Sequence, residues 1–110
     1  MTIDCATVII EETELEVDLR LTTTGTIVYW QMWVGNPTNT NLTFHPKITI
    51  DGQCPPGGCN PLGTTTFPAN KPFGQYAVGG YTLSAGTHTI CIEPTDITEQ
   101  WTRVCKTVTV

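Results

Sequence analysis

Apolar and polar residues alternate along several short stretches of the chain. In residues 15–21 every second position is apolar and the positions between them are charged. A period of two places one side of a β-strand in a core and the other side in water. In residues 27–34 the positions of both parities are largely apolar, which predicts a central strand with apolar groups on both faces.

The same period recurs in the second half of the chain. Residues 42–50 alternate around Pro46, which cannot donate a backbone hydrogen bond and therefore predicts an edge strand or a bulge. Residues 75–83 are extended and aromatic, and the pair Gly79 and Gly80 within them predicts a bulge or a tight bend. Two further strands are predicted over residues 88–93 and 101–110.

Turn-forming residues separate these stretches. Pro, Gly and Asn dominate residues 53–73, in which only residues 64–67 resemble a strand. No stretch carries apolar groups at helical spacing. A length of 110 residues suits one hydrophobic core and is too short for two. The pattern therefore predicts one all-β domain over residues 1–110, an antiparallel β-sandwich of about seven to eight strands.

Three features of the sequence are shared with a known kind of module. They are a long strand running into Asn36, a strand and turn over residues 48–52, and a hairpin pattern formed by Leu83, Gly86, His88 and Thr89. Through them, residues 28–110 resemble the immunoglobulin-like modules of CARDB-type surface proteins and virion decoration domains. The resemblance implies an immunoglobulin-like sandwich, and such modules serve as spacers, adhesion units and virion decorations. Residues 54–73 depart from the pattern.

Charge restricts the classes of partner. Ten acidic residues against five basic residues give a formal net charge of -5. Nucleic acid and anionic membranes attract clustered positive charge, whereas the basic residues here are scattered, so we expect neither as a partner. The basic residues are Arg20, Lys47, Lys71, Arg103 and Lys106. No stretch approaches the roughly 18 apolar residues of a membrane-spanning helix.

The N-terminus lacks the basic region and apolar core of a secretion signal. We therefore expect either a removed signal or a protein that leaves a cytoplasm by another route, as virion proteins do. Residues 2–10 carry apolar side chains without clean alternation, so both faces of a strand there would need cover. A neighbouring subunit would supply that cover, which makes Ile3, Val8 and Ile10 candidates for partner binding. The alternative is an ordinary first strand packed in its own sandwich.

Five cysteines are many for a cytosolic domain and favour disulfides. Cys54 and Cys59 flank a Pro-Pro-Gly-Gly turn that doubles the chain back, which predicts a small loop disulfide. A zinc knuckle is the rival interpretation, although only distant cysteines and histidines remain to complete four ligands.

A second cysteine pair falls on neighbouring predicted strands. Cys91 and Cys105 lie opposite each other if the turn between them centres near Thr98. A cross-strand disulfide is one interpretation, and two reduced cysteines on a covered face is the other. Cys5 is then the leftover thiol, which is either buried and free or available to a partner chain.

The histidines and the serine, which are common catalytic residues, have no catalytic partners at suitable spacing in the sequence. His45 and His88 have no cysteine or carboxylate at ligand spacing, so solvated or core positions are expected for both. Ser84 lies in a turn that has no nucleophile-elbow motif, and we expect no Asp and His beside it to form a catalytic triad. We therefore expect no enzyme activity, no cofactor and no metal site.

Aromatic residues offer a further candidate surface. Trp33, on the outward parity of its strand, is a candidate for partner binding. The aromatic residues also suggest a sugar-stacking platform made of Tyr29, Trp30, Trp33, Tyr76, Tyr81 and Trp101. Alternating aromatic residues are nevertheless more often core.

The leading hypothesis is a non-enzymatic structural or assembly protein. It would be an immunoglobulin-like decoration or building subunit of a virion capsid, virion tail or surface filament, located on a virion or extracellular surface. Its partners would be proteins, copies of itself or a capsid or filament lattice. The alternative is a carbohydrate-binding or adhesion module of a cell-surface protein, with a surface glycan as its ligand.

Overall fold

The computed structural model describes residues 13–110, and every regular element among them is a β-strand. The predicted all-β fold of seven to eight strands is confirmed. The predicted N-terminal strand over residues 2–10 lies outside the described residues. The strands are β1 (Glu16–Thr24), β2 (Ile27–Asn36), β3 (Leu42–Phe44), β4 (Pro46–Ile50), β5 (Thr65–Phe67), β6 (Lys71–Thr82), β7 (Thr87–Pro94) and β8 (Val104–Thr109).

Two three-stranded antiparallel sheets contain most of these strands. One sheet has the order β1-β2-β6 and the other has the order β4-β7-β8, while β3 and β5 form a short separate pair. β2 is the central strand of its sheet, as its apolar pattern predicts. Buried side chains from both sheets join one hydrophobic core, so the sheets form a sandwich-like pair of layers. Fully buried members of this core include Leu19, Met32, Phe44, Ile48, Ile90 and Ile92.

A tight turn at Gly25 joins β1 and β2. Gly25 has a φ of 58°, in the left-handed region that a residue without a Cβ atom adopts easily. Thr24 pairs with Ile27 across this turn. Further along the same hairpin Leu19 pairs with Met32, and both are buried, which is the arrangement that the period of two predicts.

β6 carries a bulge, but not where the sequence predicts one. The prediction of a bulge at Gly79 and Gly80 is wrong, because the two register shifts lie elsewhere: one at Tyr76, which the pairing with β2 skips, and one between the partners of Val34 and Asn36. Gly79 instead pairs with the buried Trp30, and a Cβ atom at Gly79 would lie 2.5 Å from Cε2 of the indole. The glycine is therefore required by the indole that packs over it, and not by a bend.

An aromatic cluster fills the core beside β3 and β5. The Phe44 ring lies at its centre, 5.7 Å from the Phe67 ring and 5.6 Å from the Tyr76 ring between centroids. The Trp101 ring is closer, at 4.9 Å. The sequence predicts that the last strand begins at Trp101, whereas β8 begins at Val104. Trp101 is buried in the cluster and precedes the strand.

A buried carboxylate fixes the loop that carries Trp101. Glu99 accepts a hydrogen bond from the Trp101 Nε1–H at 3.0 Å and another from the backbone N–H of Asp96 at 2.7 Å. The backbone N–H of His45 donates to the same carboxylate. Three donors compensate the loss of water around the buried charge, so the loop between β7 and β8 is anchored to the start of β4.

The predicted strand over residues 42–50 is divided in two. β3 ends at Phe44 and β4 begins at Pro46, on either side of His45. β4 is an edge strand of its sheet, which suits a proline with no N–H to donate. The predicted alternation continues across the break, because Leu42, Phe44, Pro46 and Ile48 are all buried.

Asn36 ends β2 with a buried side-chain amide. Its Nδ2 group donates to the backbone carbonyl oxygen of Thr40 at 2.8 Å. The same group donates to the carbonyl oxygens of Phe67 at 3.0 Å and Pro68 at 3.1 Å. Its Oδ1 atom accepts from the backbone N–H of Thr38 at 3.0 Å and from the Thr38 hydroxyl at 2.6 Å. One amide therefore ties the end of β2 to the following loop and to β5.

Gly79→Ala is expected to destabilise the protein by about 1–3 kcal/mol, because the added methyl group overlaps the buried indole of Trp30. Gly80→Ala is the matched control, since its Cβ atom would lie 3.2 Å from Cδ1 of Tyr29, whose exposed ring can turn away. Urea unfolding of the two variants measures the difference. Equal losses of stability in both variants would contradict the requirement assigned to Trp30.

Asn36→Asp is expected to cost about 3 kcal/mol or more, because it replaces a donor with a buried charge that faces three carbonyl oxygens. Asn41→Asp provides the control. The exposed Asn41 uses its Oδ1 atom to accept from the Ala69 N–H at 3.1 Å, and a carboxylate keeps that acceptor. Thermal unfolding at neutral pH compares the two, and a similar loss in both would argue against the role of the Asn36 amide.

Candidate functional site

The sheet β1-β2-β6 turns aromatic and apolar side chains outward. Tyr29 is 45% exposed, Phe73 is 42% exposed and Val78 is 59% exposed. Trp33 lies on the same side of β2 as Tyr29 and is half-buried by its neighbours. We call the side formed by Arg20, Tyr29, Trp33, Phe73 and Val78 the outer aromatic face. Clustered exposed apolar residues are typical of surfaces that contact a partner.

Trp33 is held in place on the outer aromatic face. The Phe73 ring stacks against it with a centroid distance of 6.0 Å, and the Arg20 guanidinium lies 4.0 Å from the centroid of the indole. The indole Nε1–H donates to Gln31 Oε1 at 3.0 Å. These contacts restrict the rotamers of Trp33, so little conformational freedom is left to lose when a partner binds.

A small cluster of charges fixes Arg20. Its Nε atom lies 3.3 Å from Asp18 Oδ2, and Lys106 Nζ of β8 lies 3.5 Å from Asp18 Oδ1. Partial burial acts to raise the pKa of Asp18, but the hydrogen bond from Arg20 and the charge of Lys106 outweigh it, and the pKa is lowered. The charged carboxylate thus keeps the guanidinium beside Trp33.

A groove of about 500 Å³ lies beside Tyr29 on this face. Gly80, the partner of Tyr29 in β6, has no side chain, so the Tyr29 ring lies over its backbone, and a Cβ atom there would lie 3.2 Å from Cδ1 of the ring. Val78 lies on one side of Gly80, two residues away along β6, and the side chains of Thr22 and Gln31 add polar groups. The groove therefore combines an aromatic wall, a backbone floor and two hydrogen-bonding side chains.

The groove opens next to a sheet edge. Within residues 13–110, β6 is hydrogen-bonded on one side only, to β2. Residues 72–82 contain no charged side chain. Natural edge strands are usually protected by charges, prolines or bulges. Pro72 and the bulge at Tyr76 protect the first half of β6, and the second half from Ala77 to Thr82 has no such protection.

Both predicted cysteine pairs lie at disulfide-bonding distance. The Cα atoms of Cys54 and Cys59 are 4.8 Å apart, and the turn between them closes with the Gly58 N–H donating to Pro55 O at 3.0 Å. Cys91 and Cys105 are direct partners in the pairing of β7 with β8, as the predicted turn centre implies, with Cα atoms 4.1 Å apart. Two such pairs are typical of proteins in an oxidising, extracellular environment.

The other predicted site residues are distributed as follows. Cys5, Ile3, Val8 and Ile10 lie outside the described residues. Trp33 lies on the outer aromatic face. Trp30 and Trp101 are core residues, so only part of the predicted sugar-stacking set is accessible. Phe73 and Val78 were not predicted as site residues, and the signal that could have found them is the absence of charge from residues 72–82.

The structure brings Asp51 and His88 beside Ser84, so the expectation that Ser84 lacks Asp and His neighbours is wrong. His88 Nδ1 lies 2.6 Å from Asp51 Oδ2, and His88 Nε2 lies 2.7 Å from the backbone oxygen of Ser84. Both neighbours are acceptors, and only the imidazolium can donate from both nitrogens. Because Nε2 faces a carbonyl and not the serine hydroxyl, the three residues do not form a nucleophile with a general base.

The same contacts determine how His88 and Asp51 titrate. The hydrogen bond to Asp51, followed by that to Ser84 O, raises the pKa of His88 above 6.5. The Thr89 N–H, which donates to Asp51 Oδ1 at 2.8 Å, and then the His88 ring lower the pKa of Asp51 below 3.8. The pair closes the turn after β4 onto the start of β7. Local sequence patterns do not predict this contact, because the two residues are 37 positions apart.

Within the described part of the chain, no three residues among His, Cys, Asp and Glu are placed to hold a metal ion. No helix there is long and apolar enough to cross a membrane. Comparison of the chain with protein-family models, with curated proteins and with solved structures gave no match.

The His88–Asp51 pair predicts a dependence of stability on pH. The stabilisation from His88 is complete below its unfolded pKa of about 6.5 and is lost as pH rises through its raised folded pKa. The stabilisation from Asp51 is present above 3.8 and is lost as pH falls through its lowered pKa. Thermal unfolding at about pH 5.5 and about pH 9 is expected to show that His88→Gln loses stability chiefly at the lower pH.

His45→Gln is the control for this measurement, because within residues 13–110 the His45 ring belongs to no ion pair. A pH dependence in His88→Gln that matches that of the unaltered protein would contradict the assignment.

Proposed function

We propose that this chain is a non-enzymatic structural or assembly protein, an immunoglobulin-like subunit that decorates or builds a virion capsid, a virion tail or a surface filament. The observation that carries the proposal is the outer aromatic face, which adjoins the edge of β6, where residues 77–82 carry no charge and pair with no further strand within residues 13–110. A surface of this kind binds protein. A partner that pairs with the edge would also cover the exposed Val78.

The strand order supports the immunoglobulin-like part of the proposal. The sheets β1-β2-β6 and β4-β7-β8 follow the order of strands A-B-E and C-F-G in immunoglobulin sandwiches. The cysteines depart from that family, because Cys91 and Cys105 join neighbouring strands of one sheet, whereas the antibody disulfide joins the two sheets. The resemblance to CARDB-type and virion decoration modules is part of the same proposal.

The partner that fits the edge of β6 best is a second copy of the chain. If two β6 strands pair antiparallel about a twofold axis at Gly79, then Val78 lies directly across from Gly80 of the partner subunit. Each exposed valine would then pack against the Tyr29 ring that lies over the glycine of the other copy. The arrangement is self-complementary and joins two three-stranded sheets into one of six strands.

Location follows from the cysteines and from the proposed role. The two pairs at disulfide-bonding distance suit a surface outside a reducing cytoplasm. We propose a virion or an extracellular surface as that place. Both ring nitrogens of His88 are hydrogen-bonded, one to Asp51 and one to a backbone carbonyl oxygen, so neither is free to act as a general base. This supports a role without catalysis.

A second candidate function is supported by one specific observation. The groove beside Tyr29 offers an exposed aromatic ring together with the polar side chains of Thr22 and Gln31. Aromatic stacking combined with amide and hydroxyl groups is a common way to bind sugars, so a carbohydrate-binding or adhesion module is the alternative. A glycan array distinguishes the two, because the assembly function predicts no glycan bound at the Tyr29 groove.

Val78→Lys is expected to weaken self-association at least about tenfold, because pairing of the two edges would bury uncompensated charges. Ile97→Lys is the matched control: Ile97 is 97% exposed but lies in the loop between β7 and β8, away from the edge of β6. Light scattering over a range of protein concentrations measures the mass of each variant.

A protein that stays monomeric at high concentration, or a Val78→Lys variant that keeps the oligomeric mass, would overturn the proposed interface. A variant lacking residues 2–10 separates this edge from the N-terminal segment as the assembly contact. Loss of the oligomer in that variant, but not in Val78→Lys, would assign the contact to Ile3, Val8 and Ile10.

A further inference from the structure

We propose that the Cys91–Cys105 disulfide is a thiol-exchange site, at which an incoming thiolate bonds to Cys105 and Cys91 is the leaving group. The proposal does not depend on the assembly function. It rests on the positions of the two sulfur atoms in the sheet and on the contact between Cys91 and Arg103.

The position of Cys105 makes it the accessible sulfur. Within residues 13–110, β8 is the edge strand of its sheet and is hydrogen-bonded only to β7. Cys105 is exposed, and it lies on the side of the sheet that faces away from the core. A thiolate attacks a disulfide along the line of the sulfur–sulfur bond. For Cys105 that line extends from β7 past the edge of the sheet, where a nucleophile can approach.

The position of Cys91 protects it from the same attack. β7 is the central strand, and Cys91 is only 3% exposed. The line of attack on Cys91 would come from β4, where its direct partner Thr49 is also buried. The incoming thiolate can therefore reach the sulfur of Cys105 but not that of Cys91, so Cys105 accepts it.

Arg103 stabilises the thiolate that leaves. Its Nη2 atom lies 3.3 Å from Cys91 Sγ. A guanidinium beside a cysteine favours the thiolate form, and a leaving thiol with a lower pKa departs faster. Within the described residues, Arg103 makes no ion pair that would compete for this role, although Glu93 and Lys47 occupy the same side of the sheet as cross-strand partners.

The exchange is balanced without an added oxidant. The incoming thiolate sulfur forms a bond to Cys105 Sγ as the bond between Cys105 Sγ and Cys91 Sγ breaks. The electron pair of the broken bond remains on Cys91 as a thiolate, beside the guanidinium of Arg103. Attack by that thiolate on the new disulfide reverses the step, so the site would take up and release a thiol without net oxidation.

The incoming thiol is either a small molecule, such as glutathione, or a cysteine of another copy, and the test separates the two. The native protein is incubated with glutathione, quenched with N-ethylmaleimide and mapped by mass spectrometry without reduction. We expect glutathione on Cys105 and maleimide on Cys91. Glutathione on Cys91, an equal mixture of the two products, or no exchange at this pair would overturn the proposal.

A parallel sample without glutathione tests for a cysteine of another copy. A disulfide-linked dimer joined through Cys105, which is absent from a Cys5→Ser variant, would identify Cys5 of a second copy as the thiol. A dimer joined through Cys91 would contradict the proposed direction of attack.

Arg103→Gln is expected to slow opening of the Cys91–Cys105 bond by roughly 3- to 10-fold, and Arg103→Lys is expected to restore part of the rate. Lys106→Gln is the matched control, because it removes a positive charge from the same strand but from the side that faces Asp18. The Cys54–Cys59 bond serves as an internal reference in every variant. Equal slowing of both bonds in Arg103→Gln, or unchanged rates, would refute the role of Arg103.

Discussion

The buried amide of Asn36 joins the end of β2 to the loop that follows it and to the end of β5. β2 ends at this residue, and its Nδ2 group donates to the Phe67 carbonyl oxygen at the end of β5. β3 and β5 contain three residues each, and an isolated two-stranded pair of that size is marginally stable in water. Their position therefore depends on this amide and on the packing of Phe44 and Phe67 against Tyr76 of β6. Asn36 also pairs with Lys71, the first residue of β6.

Local patterns predicted much of the fold. The period of two correctly gave the buried parity of β1 and β2, because alternation in a strand is a property of neighbouring residues. The facing positions of Cys91 and Cys105 followed from a turn centred near Thr98, since register in a hairpin is set by its turn. Trp33 was identified as an outward residue for the same reason, and it became part of the candidate site.

Contacts between distant residues could not be predicted in this way. The sequence marks Gly79 as a turn-forming residue, but its role comes from Trp30, which approaches it across the sheet. The contact of His88 with Asp51 depends on how β7 pairs with β4, and no sequence motif predicts it. The outer aromatic face was only partly foreseen, since Phe73 joins it through stacking on Trp33. Such features depend on the assembled sheets.

The two sheets differ in the side chains on their outward faces, so the two faces of the molecule have different polarity. The outward side of β1-β2-β6 carries Tyr29, Trp33 and Val78, whose exposed apolar surface is costly in water and is removed when a partner covers it. The outward side of β4-β7-β8 carries mainly threonines and charged groups around the Cys91–Cys105 pair, and such a surface is stable in water without cover. In the proposed assembly function, a subunit built in this way would attach through β1-β2-β6 and leave the other sheet, with the exposed Cys105, facing the solvent.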